Sequence, residues 1–458
     1  MSDPIQDEVR KHQEESIQRE LFGTRLGFVL AAVGSAVGLG NMWRFPYRAS
    51  EGGGAAFVLL YIGLTLVVGI PLMLCEFSIG RRSRLSPVGA FKKEGGAAWG
   101  MVGFLGVLTG FLILSYYAVI AGWVVRYGIE GLLTGFAADP GAHFETVSTG
   151  WAPIVYHLAF MAVTVVIVMY GVEKGIERAS LILMPVLFFI VLGLAVWAFT
   201  LPGSAEGYAY YLTPSFEELL NPTTFAEAAG QAFFSLSLGM GAMLTFASYL
   251  SRHENLNREA ATVASSDFAV AFVAGLVVFP VIAALGLQSQ VSSSTVGALF
   301  IALPGAFVEM GGLGRVVGVL FFFALAVGAL TSALSLLEVV TASMIDEFKV
   351  RRMPAAIGAG IVIALVGLLP ATNLDALGVM DRVTEWFLSV GALLIAIFVG
   401  WRMKDPAHEM LDGASGAFAK VVPAVLFFVR FVMPPVIGYV VYYSTTGLID
   451  TIRQTYGV

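Results

Sequence analysis

Apolar residues run along this chain in long unbroken stretches and not in alternation. A helix needs roughly 20 mostly apolar residues to cross a bilayer. Stretches of that kind fall at 24–48, 55–80, 100–131, 151–170, 178–200, 225–250, 261–289, 312–346, 354–371, 383–402 and 420–446. They predict an all-α polytopic membrane protein of about eleven transmembrane helices. Barrel strands would alternate over about 10 residues, and these runs do not. The opening segment, 1–23, is polar and carries no cleavable signal pattern.

Composition agrees with the pattern. Of 458 residues, 57% are hydrophobic and only 13% are charged, far from the balance of a soluble domain. A net charge of −6 with no long basic block argues against a nucleic-acid partner. The single cysteine, Cys75, permits no internal disulfide, and the five histidines lack metal-ligand spacing. No nucleophile–base pair stands out, so the chain does not read as an enzyme, and no cofactor is implied.

Most of the 26 Lys and Arg residues fall on one predicted side. Arg10, Lys11, Arg19 and Arg25 precede the first span, and Arg81, Arg82, Arg84, Lys92 and Lys93 follow the second. The loops near 132–150 and 201–224 hold none. The positive-inside rule then predicts a cytoplasmic N-terminus and, for an odd helix count, an external C-terminus. Asn221 is followed by Pro222 and cannot be a glycosylation acceptor. Absent sequons and disulfides suit a bacterial inner (plasma) membrane.

Two glycine clusters interrupt the spans. GSAVGLGN puts Gly34, Gly38 and Gly40 beside Ser35 and Asn41 in the first run; FFSLSLGMGAM puts Ser235 and Ser237 beside Gly239 and Gly241 in the sixth. Glycines in spanning helices commonly serve close packing. A matched pair, five spans apart, points instead to an inverted-repeat transporter with two broken helices. Each break frees backbone carbonyls for a cation and amides for a carboxylate.

At these residues the sequence resembles the neurotransmitter:sodium symporter family. RLGFVLAAVGSAVGLGNMWRFP at 25–46 is similar to the family's first-helix signature, followed by EGGGAAF at 51–57, and GQAFFSLSLGMGAMLTFASY at 230–249 to its sixth helix. Shorter likenesses are PLMLCEFSIGR at 71–81, SYYAVIAGW at 115–123, KGIERASLILMP at 174–185 and GALTSALSLLE at 328–338. The resemblance implies two inverted five-helix repeats, 24–200 and 225–402, then an eleventh helix and C-terminus over 403–458. It further implies sodium-coupled import of an amino acid by alternating access, as in bacterial amino-acid transporters of that family.

The site residues follow from the same resemblance. One sodium site would use the Ala36 carbonyl, Asn41, Ser235, Asp267 and the substrate carboxylate. The second would use carbonyls of Gly34, Val37 and Gly328 with hydroxyls of Thr331 and Ser332. Amides and carboxylates at membrane depth are costly, which singles out Asn41 and Asp267 independently; the two hydroxyls could otherwise simply back-bond to their own helix. Tyr117 with the Leu39 and Gly40 amides would hold the substrate carboxylate. Carbonyls of Ala36 and Phe234 and the Ser332 hydroxyl would take its ammonium. Ser35, Ile113, Ser235, Ser237, Met240 and Leu336 would line the rest.

Gly38 stands where monoamine-selective relatives carry Asp, so the substrate brings its own carboxylate. Met240, unbranched and polarizable, favours larger side chains than Phe would. A neutral hydrophobic or aromatic amino acid is therefore expected, with GABA, taurine, glycine or betaine as same-family alternatives. A sensor or channel is the alternative from another class. Arg44 with Asp381, bridged by water or in direct contact, would form an outer gate over Tyr117 and Phe234, and Arg19 with Asp346 an inner latch near Ser248 and Tyr249. Glu76 reads as a buried acid bonded to broken-helix amides. Gly175 and Pro185 bracket a segment of the fifth helix able to unwind. Chloride-binding relatives use positions matching Tyr61, Gln231, Ser235 and Ala271. Here Ala271 cannot hold an anion, while Asp267 replaces the usual Asn one turn away, which predicts chloride-independent transport.

Overall fold

The computed structural model describes residues 20–284, 298–412 and 417–457, and all its regular elements there are helices. Among the described residues eight helices are long and apolar enough to span a membrane, or up to ten where each of two bent pairs is taken as one span. The spans are built of α1 (Arg25–Ala36), α2 (Gly40–Glu51), α3 (Ala55–Ser83), α4 (Ala97–Leu133), α5 (Ala152–Met169) and α6 (Val172–Ala198). After these come α7 (Pro222–Ser235) and α8 (Ala242–Ala247). The remainder are α9 (Leu256–Ala284), α10 (Gly311–Phe348), α11 (Arg352–Thr372), α12 (Leu374–Arg402), α13 (Ala417–Phe431) and α14 (Met433–Tyr456).

Both glycine clusters break their helices. α1 and α2 meet at a 46° bend. α7 and α8 are separated by non-helical residues 236–241, and each is too short to cross a bilayer alone. Ser237, Gly239 and Gly241 all take left-handed backbone there. A β-carbon on Gly239 would stand 2.5 Å from the Leu388 carbonyl oxygen, so glycine serves both the conformation and the close approach to α12.

Among the differences from the hydropathy reading, three bear on the site and its frame. α12 begins at Leu374 rather than 383, because Asn373 caps the amides of Asp375 and Ala376. α6 begins at Val172 rather than 178, opening with a π-helical turn over Val172–Glu177. The last run is two helices, α13 and α14, bent by 43°.

The long helices α4 and α10 lie against each other, with α5 and α11 packed on them. The first broken helix packs on this scaffold, with α1 touching α6, α9 and α10. Val163, Val166, Phe189, Val196, Leu365 and Leu369, on α5, α6 and α11, are exposed, as lipid-facing residues must be. Arg25, Arg81, Arg82 and Arg402 gather on one face, where Arg81 and Arg25 pair with Glu409 and Glu259. Helices Pro140–Ser148, Ser204–Leu212 and Phe216–Leu219 fill the loops free of Lys and Arg.

Candidate functional site

The two breaks face each other across a buried pocket. Ser35, Ala36, Gly38, Gly40, Ile113, Tyr117, Phe234, Ser237, Met240, Ser332 and Leu336 line a tight pocket with about 20 Å³ of free space. Its walls mix a few convergent polar groups with apolar side chains, the usual make-up of a small-molecule site. Leu39 lies outside the lining, but its amide donates to the Tyr117 hydroxyl at 3.2 Å. Gly38 has no room for a side chain: a β-carbon would lie 2.3 Å from Ser332 Oγ and 2.8 Å from the Tyr117 hydroxyl.

On one side of the pocket stands a cluster centred on Asp267 of α9. Asn41 Nδ2 donates to Asp267 Oδ1 at 2.7 Å and to Ser235 Oγ at 3.0 Å. Ser235 Oγ donates to the same carboxylate at 2.8 Å, and the Tyr61 hydroxyl donates to Oδ2 at 2.8 Å. Three side chains from three helices thus converge on one fully buried carboxyl group. Gln231 donates to the Gly40 carbonyl at 2.9 Å, and Ala271 is buried. Asn41 Oδ1 also accepts from the Gly38 amide at 3.0 Å, closing the break in the first span.

On the other side, the Ser332 hydroxyl of α10 meets carbonyls at the end of α1. Ser332 Oγ lies 3.2 Å from the Gly34 oxygen and 3.4 Å from that of Val37. Thr331 Oγ1 lies 3.0 Å from the Gly328 oxygen. Ser332 thereby reaches carbonyls of the first broken helix, while the Thr331 hydroxyl bonds carbonyls of its own helix.

A serine chain, only partly foreseen from the sequence, joins the breaks to the scaffold. Ser237 Oγ donates to the Ser35 carbonyl at 2.9 Å, Ser35 Oγ to Ser335 Oγ at 2.8 Å, and Ser335 Oγ to the Ser332 carbonyl at 2.8 Å. Ser335 carried no sequence signal, because a serine mid-helix reads as ordinary back-bonding. Glu76 does what its position suggested: its carboxylate accepts the Gly239 amide at 2.7 Å and that of Leu244 at 3.2 Å.

The outer pairing differs from expectation. The Arg44 guanidinium sits 4.5 Å over the Phe234 ring, yet its ion-pair partner is Glu385 at 3.1 Å and not Asp381. Asp381 instead accepts from the Tyr116 hydroxyl at 3.0 Å. The two acids lie one turn apart on one face of α12, so position alone did not separate them. Arg382 also binds Glu385, at 3.0 Å, and Arg48 binds Glu227 of α7 at 2.8 Å. On the basic face Arg19 lies outside the described residues. Asp346 accepts from the Ser86 amide at 2.6 Å, Ser248 Oγ donates to the Thr245 carbonyl, and the Tyr249 hydroxyl donates to Glu338.

Comparison with known proteins gives this geometry a context. The family model for the sodium:neurotransmitter symporter family matches residues 19–143 and 148–448. An uncharacterized sodium-dependent transporter of Bacillus subtilis (strain 168) is 34% identical over 449 residues, covering 94% of this chain and 98% of that protein. Another, from Methanocaldococcus jannaschii, is 33% identical, covering 90% of this chain and 88% of its own. Among solved structures, that of MhsT in complex with L-phenylalanine matches with a TM-score of 0.84 and 40% identity. It covers 93% of this chain and 100% of MhsT. The two broken helices, the pocket between them and these matches point the same way: the chain belongs to the sodium:neurotransmitter symporter family, whose members are sodium-dependent secondary transporters and not enzymes.

Proposed function

We propose that this protein is a symporter that imports a neutral hydrophobic or aromatic amino acid with sodium, by alternating access. The observation that carries the reading is the pocket itself, closed at one end by Tyr117 and the Leu39 amide and apolar at Ile113, Met240 and Leu336. A phenylalanine-bound relative with 40% identity supports the same side-chain class.

In this reading the Asp267 cluster, Asn41, Asp267, Ser235 and the Ala36 carbonyl, holds one sodium and shares it with the substrate carboxylate. Gly34, Val37, Gly328, Thr331 and Ser332 hold the second. The substrate ammonium meets the Ala36 and Phe234 carbonyls and Ser332. Gly38 supplies no acid for a lone amine, and the space a carboxyl would need is already taken by Ser332 and Tyr117. Asp267 brings its negative charge between Tyr61 and Ser235, which supports transport without chloride. Residues 24–200 and 225–402 act as inverted repeats. The basic face is cytoplasmic, as the positive-inside rule favours for a bacterial inner membrane.

The deciding experiment is uptake into proteoliposomes under an inward sodium gradient. Accumulation of leucine, phenylalanine or tryptophan above the bath concentration is expected. Competition by GABA, taurine, glycine or betaine alone would replace the hydrophobic or aromatic amino-acid reading, and equilibration without accumulation would indicate a channel.

A further inference from the structure

At the basic face, two glutamates cap each other's helices. Glu177, at the end of the π-helical turn of α6, accepts the Gly23 amide at 2.7 Å and the Thr24 amide at 3.1 Å, with the Thr24 hydroxyl at 2.7 Å. These are among the orphan donors that precede and open α1. In return Glu20, just before α1, accepts the Val172 amide at 2.7 Å, the first residue of that π turn. Glu177, in α6, thus holds the residues that lead into α1, including its N-cap Thr24, while Glu20, in that leading segment, satisfies the start of α6.

Neighbouring contacts tie the exchange to the rest of this face. Arg352 binds Glu20 at 2.9 Å and also Glu338, at 2.7 and 2.9 Å. Glu338 in turn accepts from Tyr249, whose carbonyl accepts the Phe22 amide at 3.2 Å. The fit around Glu177 is tight: a β-carbon on Gly27 would lie 2.0 Å from its carboxylate oxygen. Below the caps, the π turn of α6 follows Gly171, whose φ is 98°. Such short π segments are less stable than α-helix and recur where helices change shape.

We propose that Glu20 and Glu177 are positioning residues that make the basic-face ends of α1 and α6 open as one unit. Moving α1 away removes the carboxylate cap from α6, and unwinding the first turn of α6 withdraws the cap from α1. Neither end can leave while both caps hold. The proposal rests on the alternating-access reading above and adds to it which residues join the two movements.

The test uses the full chain in membranes and a water-soluble thiol reagent. Reporters are Val29→Cys on α1 and Ser180→Cys on α6, both at buried positions, made one at a time. Native Cys75, fully buried on α3, reports general loosening. Sodium is expected to slow both reporters in the otherwise unaltered chain; sodium indifference there would overturn alternating access itself. With that response intact, Glu20→Ala is expected to accelerate both reporters by about fivefold, the loss typical of a helix cap. Glu177→Gln is expected to do the same, and so is Gly27→Ala, which displaces the carboxylate without altering either acid. Cys75 stays unlabelled throughout. Acceleration of Ser180→Cys alone in Glu20→Ala, or of Val29→Cys alone in Glu177→Gln, would overturn the joint opening, as would an unchanged rate at both sites. Glu20 is partly exposed, so its variant decides the matter even where Glu177→Gln fails to fold.

Discussion

Asn41 donates to Asp267 across 226 positions of sequence, at 2.7 Å, and so ties the break in the first span to α9. The same carboxylate collects Ser235, at the break in the sixth, and Tyr61 of α3. One buried acid therefore senses both interrupted helices. Removing its charge affects every partner at once.

Chloride tests that charge. Replacing chloride by gluconate is expected to leave sodium-driven uptake unchanged. Asp267→Asn combined with Ala271→Ser removes the carboxylate and adds a hydroxyl one turn away on the same face. That double variant is expected to need chloride. Wild-type uptake that stops in gluconate would contradict the assignment.

The outer cluster separates two acids. Glu385 pairs with Arg44 over the pocket, whereas Asp381 bonds Tyr116. Breaking a buried pair from one side is costly, because it strands the other charge. Glu385→Gln is therefore expected to weaken uptake by about tenfold or more. Asp381→Asn, which keeps an oxygen for Tyr116, is expected to have a smaller effect. Equal losses in an uptake assay would put the gate at Asp381 after all.

Pocket size rests on Met240. A flexible thioether can repack around a bulky ligand where a rigid ring cannot. Met240→Phe is expected to lower tryptophan uptake by about tenfold while leucine uptake changes little. Competition assays with both amino acids read this directly, and a parallel loss of both would count against it.

Gly38 is the tightest point of the site. Gly38→Ala sets a methyl group against Ser332 and Tyr117. Overpacking of that kind costs about 1–3 kcal/mol, so binding of both sodium and substrate is expected to weaken together. A variant that transports normally would mean that the helix break moves freely, contrary to its close packing.

Much of the site was legible because breaks in a spanning helix leave strong marks. Gly34, Gly38 and Gly40, then Gly239 and Gly241, stand out in long apolar runs, and Glu76 is an acid where acids are costly. The outer charges were less legible. Glu385 and Asp381 share a face one turn apart, so spacing does not tell which one Arg44 reaches. Ser335 and the caps from Glu20 and Glu177 left no pattern, since each depends on residues hundreds of positions or several helices away. The start of α12 was misplaced because its charged first turns, which build the outer cluster, look like a loop in a hydropathy profile.

Sodium and substrate are proposed to complete each other's site, so each must raise the other's affinity by the same factor. The most direct measurement is substrate binding to the purified protein across a sodium series, with potassium as the replacement ion. A steep loss of affinity as sodium falls is expected, flattened in Asn41→Ala and Thr331→Ala. Substrate affinity that stays undiminished without sodium would contradict the account.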